Sequence, residues 1–462
     1  MAPNFTPKFE NNSENKEKET IGYILNRAKE LEPEIINNYQ DIHENPELGG
    51  QEFKTSAKIK QYLEELGIEI VTEKIGVPVD KEKGGTGIIA RIKGKLGGPM
   101  IALRADMDAL PIQESSDHQV RSKKDGVMHA CGHDSHSAGL MGAAKILKEL
   151  ADQNKLDGNI ILLFQPSEER TSQRESGAVQ MVKSLEKTGL RTDIKAFLGL
   201  HVLTELPGGT IKLREGTETA STSNLEINLE APGGHIMNAY QYPNLKDIVA
   251  RLTLNLNNIF RKYYEEGETL VASSETKFKD ASQNTLASSV TDSWIIRSLS
   301  ENYKGVTNDA REKITTEIQR AIDEHLVELE NTRQKEDKEK FDPKKIKVEI
   351  VMHPGYRPTV HRDPSLIKTT QESAQTVIGK DMVINNSPLM GAEDFSFYLE
   401  ELQNKQIPGV FMLVGAANPE KDIPIGPHHN PNFKIDPKIV KDLSAIYAVG
   451  AVKFIESLKD KS

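Results

Sequence analysis

Residues 159–170 read NIILLFQPSEER. Ile160 to Phe164 are apolar without a break, which leaves no polar face, so the run suits a strand buried on both sides in the middle of a sheet. Gln165-Pro166 closes it, and Glu168-Glu169 follow at once. In open α/β sheets, binding and catalytic groups collect beyond the carboxyl ends of the strands. Two adjacent carboxylates there can divide labour, one holding a metal and the other working as a general base. Taken alone, the pair reads more readily as a charged surface turn.

Upstream, MIALRAD (100–106), TGIIARIKG (86–94) and IEIVTE (68–73) are short β-branched runs punctuated by Gly and Pro, as strands are. Between Ile21 and Leu66 apolar residues fall at helical spacing, broken near Asn45-Pro46. Residues 135–150 and a segment from Pro437 also read as helices, and KAFLGLHV (195–202) and GVFMLVG (409–415) as further buried strands. Strands alternating with helices predict a three-layer α/β/α domain. Between about 219 and 356 the texture changes. SNLEINLE (223–230) alternates, residues 244–264 and 306–329 read as long helices, and ASSVTDSWIIRS (287–298) and KVEIVMH (347–353) as strands. That is an α+β insert of residues 219–356, interrupting an α/β domain of residues 20–218 and 357–462. Residues 1–19 are polar and charged and read as a disordered tail. The charge run ENTRQKEDKEKFDPKK (330–345) reads as a solvated helix end and loop.

The chain has 462 residues, enough for two or three domains with a real core. With 59 basic and 69 acidic residues the net charge is −10, which argues against nucleic acid or an anionic membrane as partner. The single cysteine, Cys131, rules out an intrachain disulfide and suits a reducing compartment. No apolar run approaches the ~18 residues of a membrane span, and the first residues show no apolar signal core. A cytoplasmic location is expected.

That cysteine sits among three histidines in His129-Ala-Cys131-Gly-His133-Asp134-Ser-His136. A lone cysteine or histidine is usually a core residue. Cys131 and His133, flanking a glycine just before a helix, place two metal donors on one turn. A catalytic cysteine–histidine pair is the competing reading, but nothing nearby resembles an oxyanion hole. His201 closes the apolar run 196–200, and His428-His429 follow the GVFMLVG strand. Together these offer one thiolate, several imidazoles and one or two carboxylates, the donor mixture of zinc or manganese rather than calcium or magnesium. Five donors exceed one tetrahedral site with an open position. Two ions about 3.5–4 Å apart sharing a bridging donor account for the surplus, and would activate a water and polarise a carbonyl.

In order along the chain stand DIHENPELGGQEFKTS (41–56), LRADMDALPI (103–112), HACGHDSHSAGLMGAAKIL (129–147), FQPSEE (164–169), GLHV (199–202), GAEDFSFY (391–398) and HHNPNF (428–433). In these seven motifs the chain resembles the aminoacylase-type metallopeptidases: N-acyl-amino-acid amidohydrolases, hippurate hydrolases, related carboxypeptidases and hydrolases of indole-acetic-acid conjugates. The resemblance implies a dinuclear catalytic domain with an inserted lid that also dimerises. It makes Cys131 the bridging donor, His133, Glu169, His201 and His429 the remaining metal donors, and Glu168 the general base and acid. His429 is preferred to His428 because the family's donor sits two residues before the motif's proline, here Pro431. The ions implied are Mn²⁺ or Zn²⁺, with Co²⁺ or Ni²⁺ able to replace them.

In the insert, His235 matches a lid histidine that reaches a partner subunit's active site and stabilises the oxyanion. Asn284 matches an asparagine that helps hold substrate, and Arg297 lies where the family often has an arginine. Tyr356 and Glu393 match family positions of less defined role. The lid departs from the pattern: Gly233-Gly234-His235 continues Ile236-Met237-Asn238-Ala239-Tyr240, without the usual small residues and Pro-His pair, and Ala287 stands for the usual proline. Hydrolysis of the amide of an N-acyl amino acid is the expected activity. A dipeptidase or carboxypeptidase on the same site is the nearest rival, and a non-catalytic metal-binding interaction protein the more distant one.

Overall fold

The computed structural model describes residues 11–459 apart from 81, 96–97, 116–117, 119, 171–175, 240–241, 333–344, 403–404, 422 and 424. The described chain divides into two compact units, residues 1–216, 361–387 and 394–462 in one, 217–360 and 388–393 in the other.

The first unit opens with helices α1 (Asn11–Glu30), α2 (Glu32–Glu44) and α3 (Phe53–Glu65), then strands β1 (Glu69–Ile75), β2 (Gly87–Ile92) and β3 (Met100–Asp106). Helix α4 (His133–Asp152), β4 (Asn159–Gln165), α5 (Gly177–Lys187), β5 (Ile194–Pro207) and β6 (Thr210–Lys212) follow. The chain returns to this unit through α8 (Pro364–Ile378), the strand Gly409–Ala417 and α9 (Lys438–Lys459). Strand β4 lies between β2 and β3, and every residue from Ile160 to Gln165 is buried. Its apolar run is continuous because both faces are covered: Ile160, Leu162 and Phe164 enter the core shared with α4 and α9. In the eight-stranded sheet, β4, β3, β5 and the strand Gly409–Ala417 run parallel, with antiparallel neighbours outside them. Parallel strands bring their carboxyl ends to one edge. This is a three-layer α/β/α arrangement.

The second unit holds β7 (Gly216–Glu230), β8 (Gly234–His235), α6 (Leu245–Glu265), β9 (Thr269–Lys279), β10 (Thr285–Leu286), β11 (Ser289–Ser298), α7 (Tyr303–Thr332) and β12 (Lys347–Pro354). The sheet order is β12-β7-β11-β9, antiparallel throughout. Strand β11 buries every second residue, Val290, Asp292, Trp294, Ile296 and Ser298. Those apolar side chains meet α6 and α7 in a separate core around Trp294. The period of two is the signature of a sheet covered on one face only.

Three expectations change. The tail of residues 1–19 gives way to helix from Asn11, in which Lys16 is paired with Asp157 at 2.8 Å; residues 1–10 lie outside the described residues. Strand β5 does not end at His201 but runs on to Pro207. The second unit takes in residues 388–393, whose strand Leu389–Ala392 pairs with β7, a contact no local pattern announces. Most of the charge run 330–345 lies outside the described residues.

Candidate active site

The carboxyl edge of the parallel strands gathers most of the candidate residues. Asp106 ends β3 beside Gln165 of β4, and Arg104 of β3 stands opposite Gly199 of β5. Two residues on, His201 is therefore level with Asp106 at the end of β3, and it pairs with Leu413 of the strand Gly409–Ala417 on its other side, although its own strand continues. Beyond β4 the chain turns through Ser167, held at φ +53°, in the left-handed region that a non-glycine residue occupies only under constraint. The constraint is visible: the Ser167 N–H donates to buried Glu52 at 2.9 Å, and the Glu168 and Glu169 N–H groups donate to the two oxygens of Asp108, each at 3.0 Å. One carboxylate thus fixes the backbone of both glutamates. The same Asp108 meets His133, whose Nδ1 lies 2.9 Å from the Asp108 carbonyl oxygen.

Cys131 and His133 lie either side of Gly132, which caps α4 at φ +91°. A Cβ on Gly132 would come within 2.4 Å of the Val202 side chain, so only glycine lets this turn sit against β5. The turn brings the Cys131 Sγ to 3.3 Å from His201 Nε2 and 3.3 Å from His429 Nε2. His429 Nε2 is also 3.1 Å from Glu169 Oε1. His429 is another left-handed non-glycine residue, at φ +58°, tied down by its N–H to the Ala130 carbonyl. His428 points elsewhere, with Nε2 on the Val202 carbonyl at 3.1 Å and Nδ1 by Glu205 at 2.9 Å.

Donor atoms of Cys131, His133 and His201 all lie within 4.8 Å of one another, as do those of Cys131, Glu169 and His429, and those of His133, Glu168 and Glu169. The sulfur belongs to two of the three groups. The charge balance shows what is missing. Burial, with Glu169 and Glu168 alongside, pushes the Cys131 thiol well above its usual value. Burial opposes a charge on His133, yet Asp106 and Asp108 lift it to about 10. Its Nε2 nevertheless has no hydrogen-bond partner in this buried place. Burial keeps His201 neutral, well below its usual value. Thiol, imidazoles and carboxylates gathered around one point fit a divalent cation, which would convert the thiol to thiolate and take the place of the proton on His133.

In the second unit, His235 and Asn284 are neighbours: β8 pairs with β10 through His235 and Thr285, and the Ile236 N–H donates to the Asn284 carbonyl at 2.8 Å. His235 is exposed, and its Nδ1 accepts the Met237 N–H at 3.2 Å, which leaves Nε2 as the donor nitrogen of the ring. Arg297, on β11, donates to the Met390 carbonyl at 2.9 Å. Tyr356 and Glu393 are both buried. Two carboxylates that shape the site, Asp108 and Glu52, are absent from the sequence-derived set. Asp108 carried a signal, an acid just past an apolar strand, the rule that singled out Glu168. Glu52 carried none.

The pattern of peptidase family M20/M25/M40 matches residues 102–451. The chain belongs to that family. Thermostable carboxypeptidase 2 of Saccharolobus solfataricus is 30% identical over 431 residues, covering 93% of this chain and 98% of that one. N-acetylcysteine deacetylase of Bacillus subtilis is 31% identical over 431 residues, covering 93% and 99%. Among solved structures, the Bacillus subtilis YXEP protein, described as a dinuclear metal-binding peptidase of the M20 family, superposes with a TM-score of 0.66 at 27% identity, covering 93% of this chain and 99% of that one. As a member of family M20/M25/M40, the chain is a metal-dependent hydrolase of amide bonds.

Proposed function

We propose that the chain releases an amino acid from an N-acyl amino acid, using two divalent ions held around Cys131. The observation that carries this reading is the shared sulfur: Cys131 completes one donor group with His133 and His201 and another with Glu169 and His429. The mixed S, N and O donors suit Mn²⁺ or Zn²⁺. When bound, such ions lower the pKa of a water and polarise a scissile carbonyl.

The remaining work falls to the chain's own groups. Glu168, buried and aimed by the Asp108 grip on its N–H, takes the proton of the attacking water and passes it to the leaving amine nitrogen. Glu169, on the same grip but beside His429, serves as a donor to the metal. His235, through Nε2, donates to the oxyanion in a partner subunit's site, and Asn284 beside it and Arg297 orient the substrate. This assigns a homodimer joined through the second unit as lid. The same machinery would cut a dipeptide, and the carboxypeptidase relative keeps that second reading open.

The test pairs two substitutions. Glu168→Gln should lower turnover about 10²–10⁴-fold with bound metal unchanged, because it removes a base and no donor. Glu169→Gln should lose metal and activity together. Near-parental turnover of Glu168→Gln would overturn the mechanism. A panel of N-acetyl and N-benzoyl amino acids beside dipeptides then decides between acylase and peptidase by the ratio of kcat/KM.

A further inference from the structure

His136 belongs to the same motif as Cys131 and His133, and its donor atoms fall within 4.8 Å of those of His133 and Asp106. Proximity alone would make it a metal ligand. Its hydrogen bonds say otherwise. His136 Nε2 accepts the Val202 N–H at 2.9 Å, so that nitrogen has no proton and no spare lone pair. Nδ1 must then carry the proton, and it lies 2.6 Å from Asp106 Oδ1. Both nitrogens are spoken for, in a ring that is fully buried.

The chain of contacts continues on both sides. Asp106 Oδ2 is held at 2.6 Å by Arg104, itself fully buried and bonded to Gln165 and Asp394 at 2.8 and 2.9 Å. Arg104 is thus anchored by three separate partners, which leaves Asp106 little freedom. On the other side, the Val202 nitrogen is the peptide link leaving His201. The Val202 carbonyl accepts from His201 Nδ1 at 2.5 Å, which leaves the His201 Nε2 lone pair facing the Cys131 sulfur at 3.3 Å. The His136 and His201 rings lie 4.5 Å apart, centroid to centroid.

We infer that His136 is a positioning residue rather than a ligand: through Arg104, Asp106 and the Val202 N–H it fixes the backbone, and with it the ring direction and tautomer, of His201. A histidine that binds metal through Nε2 usually owes its tautomer and orientation to an outer partner on the other nitrogen, and loss of such partners costs about 10–100-fold in metal affinity. Here the outer partner of His201 is the Val202 carbonyl, and His136 on the Val202 N–H, with His428 on the carbonyl itself at 3.1 Å, holds that residue in place.

This rests on the two-ion reading above, and the experiment separates the two. Chelator-stripped full-length parent, His136→Phe and His136→Gln are titrated with Zn²⁺ by calorimetry, and melting of each metal-free protein is followed by circular dichroism. Phe keeps the ring volume and removes both hydrogen bonds. Gln keeps an acceptor for the Val202 N–H and loses the Asp106 tether. The expected result is two ions per chain at saturation in every protein, one of the two affinities weakened about 10–100-fold in His136→Phe and by less in His136→Gln, with the other affinity unmoved. Saturation at one ion in the variants alone would make His136 a ligand and overturn the inference. Both affinities unchanged, with only the metal-free melting lowered, would make it a space-filler and overturn it equally. Saturation of the parent itself at one ion would instead overturn the two-ion reading. Should His136→Phe fail to fold, His136→Gln decides alone by the same criteria.

Discussion

At the scale of single residues, the site depends on positions where no other side chain fits. Gly132 holds a left-handed turn against Val202, where a Cβ would sit 2.4 Å from a methyl group. Gly132→Ala should destabilise the protein by about 2–4 kcal/mol, from the φ penalty and overpacking together, read as a lower denaturation midpoint with unchanged slope. It should also weaken metal binding, because Cys131 and His133 flank the turn. Cys131 offers a different comparison. Cys131→Asp leaves an anionic donor that can bridge two ions, whereas Cys131→Ala leaves none. Metal content after dialysis should fall further in Cys131→Ala, and equal retention by the two variants would exclude the bridging role. Near Cys131 two adjacent histidines take different directions. His429 reaches the sulfur because its φ is +58°, while His428 turns to Val202 and Glu205.

At the scale of elements, two ion clusters, one buried and one half-buried, hold helices in place, and they respond to pH in opposite directions. His43, on α2, lies between Asp134 of α4 at 2.6 Å and Glu114 at 3.0 Å. Burial opposes its charge, yet the two carboxylates lift it to about 10. Because the folded value exceeds the unfolded one of about 6.5, this cluster contributes its full stability below about pH 6.5 and loses it as pH rises towards 10. The loss is on the order of a few kcal/mol. A chemical-denaturation series between pH 7 and 10 should show that decline, and His43→Gln should flatten it. Asp157 works the other way. It meets Lys95 at 2.6 Å and Lys16 of α1 and Lys459 of α9 at 2.8 Å each. Burial raises its carboxyl, but the three lysines hold it well below the usual carboxylate range. Its contribution is present above about pH 4 and fades as pH falls below that. The lysines are part-exposed, so Asp157→Asn should cost only about 1 kcal/mol at pH 7, and the deficit should shrink in acid.

At the scale of the whole molecule, each unit has its own core, one spread over the central sheet with α4 and α9, the other around Trp294. Trp294 is the only tryptophan of the chain and is fully buried, with its N–H on Asp292 at 2.7 Å. Fluorescence therefore reads the second unit alone, while circular dichroism reads both. The five proposed donors, Cys131, His133, Glu169, His201 and His429, all belong to the first unit. Chelation should lower the melting of the first unit by several degrees, from about 2.7 kcal/mol of binding stabilisation at a hundredfold excess over Kd. The fluorescence transition should stay in place. A coincident downward shift of both would show that metal stabilises the protein as one cooperative block. The proposed homodimer carries its own check: sedimentation should give a mass near twice 51.4 kDa, and a fully active monomer would remove His235 from its role across subunits.

What the sequence determined by itself was whatever local pattern encodes. Five unbroken apolar residues made β4 a strand covered on both faces, strict alternation of Leu225, Ile227 and Leu229 made that stretch of β7 one covered on a single face, and the spacing of Cys131, His133 and Glu168-Glu169 announced metal chemistry at strand ends. Strand β9 escaped notice because Ser273, Ser274, Glu275 and Lys277 break its apolar rhythm; it forms because β11 supplies a partner along its whole length. The tertiary structure alone decided which of these side chains come together, since Cys131 and His429 are 298 residues apart in the chain and yet lie 3.3 Å apart. It also decided that Asp108 and Glu52 aim the glutamates and that His136 is spent on Val202. These are contacts between distant backbone and side-chain groups, and no window of sequence short enough to show a period contains both ends of them.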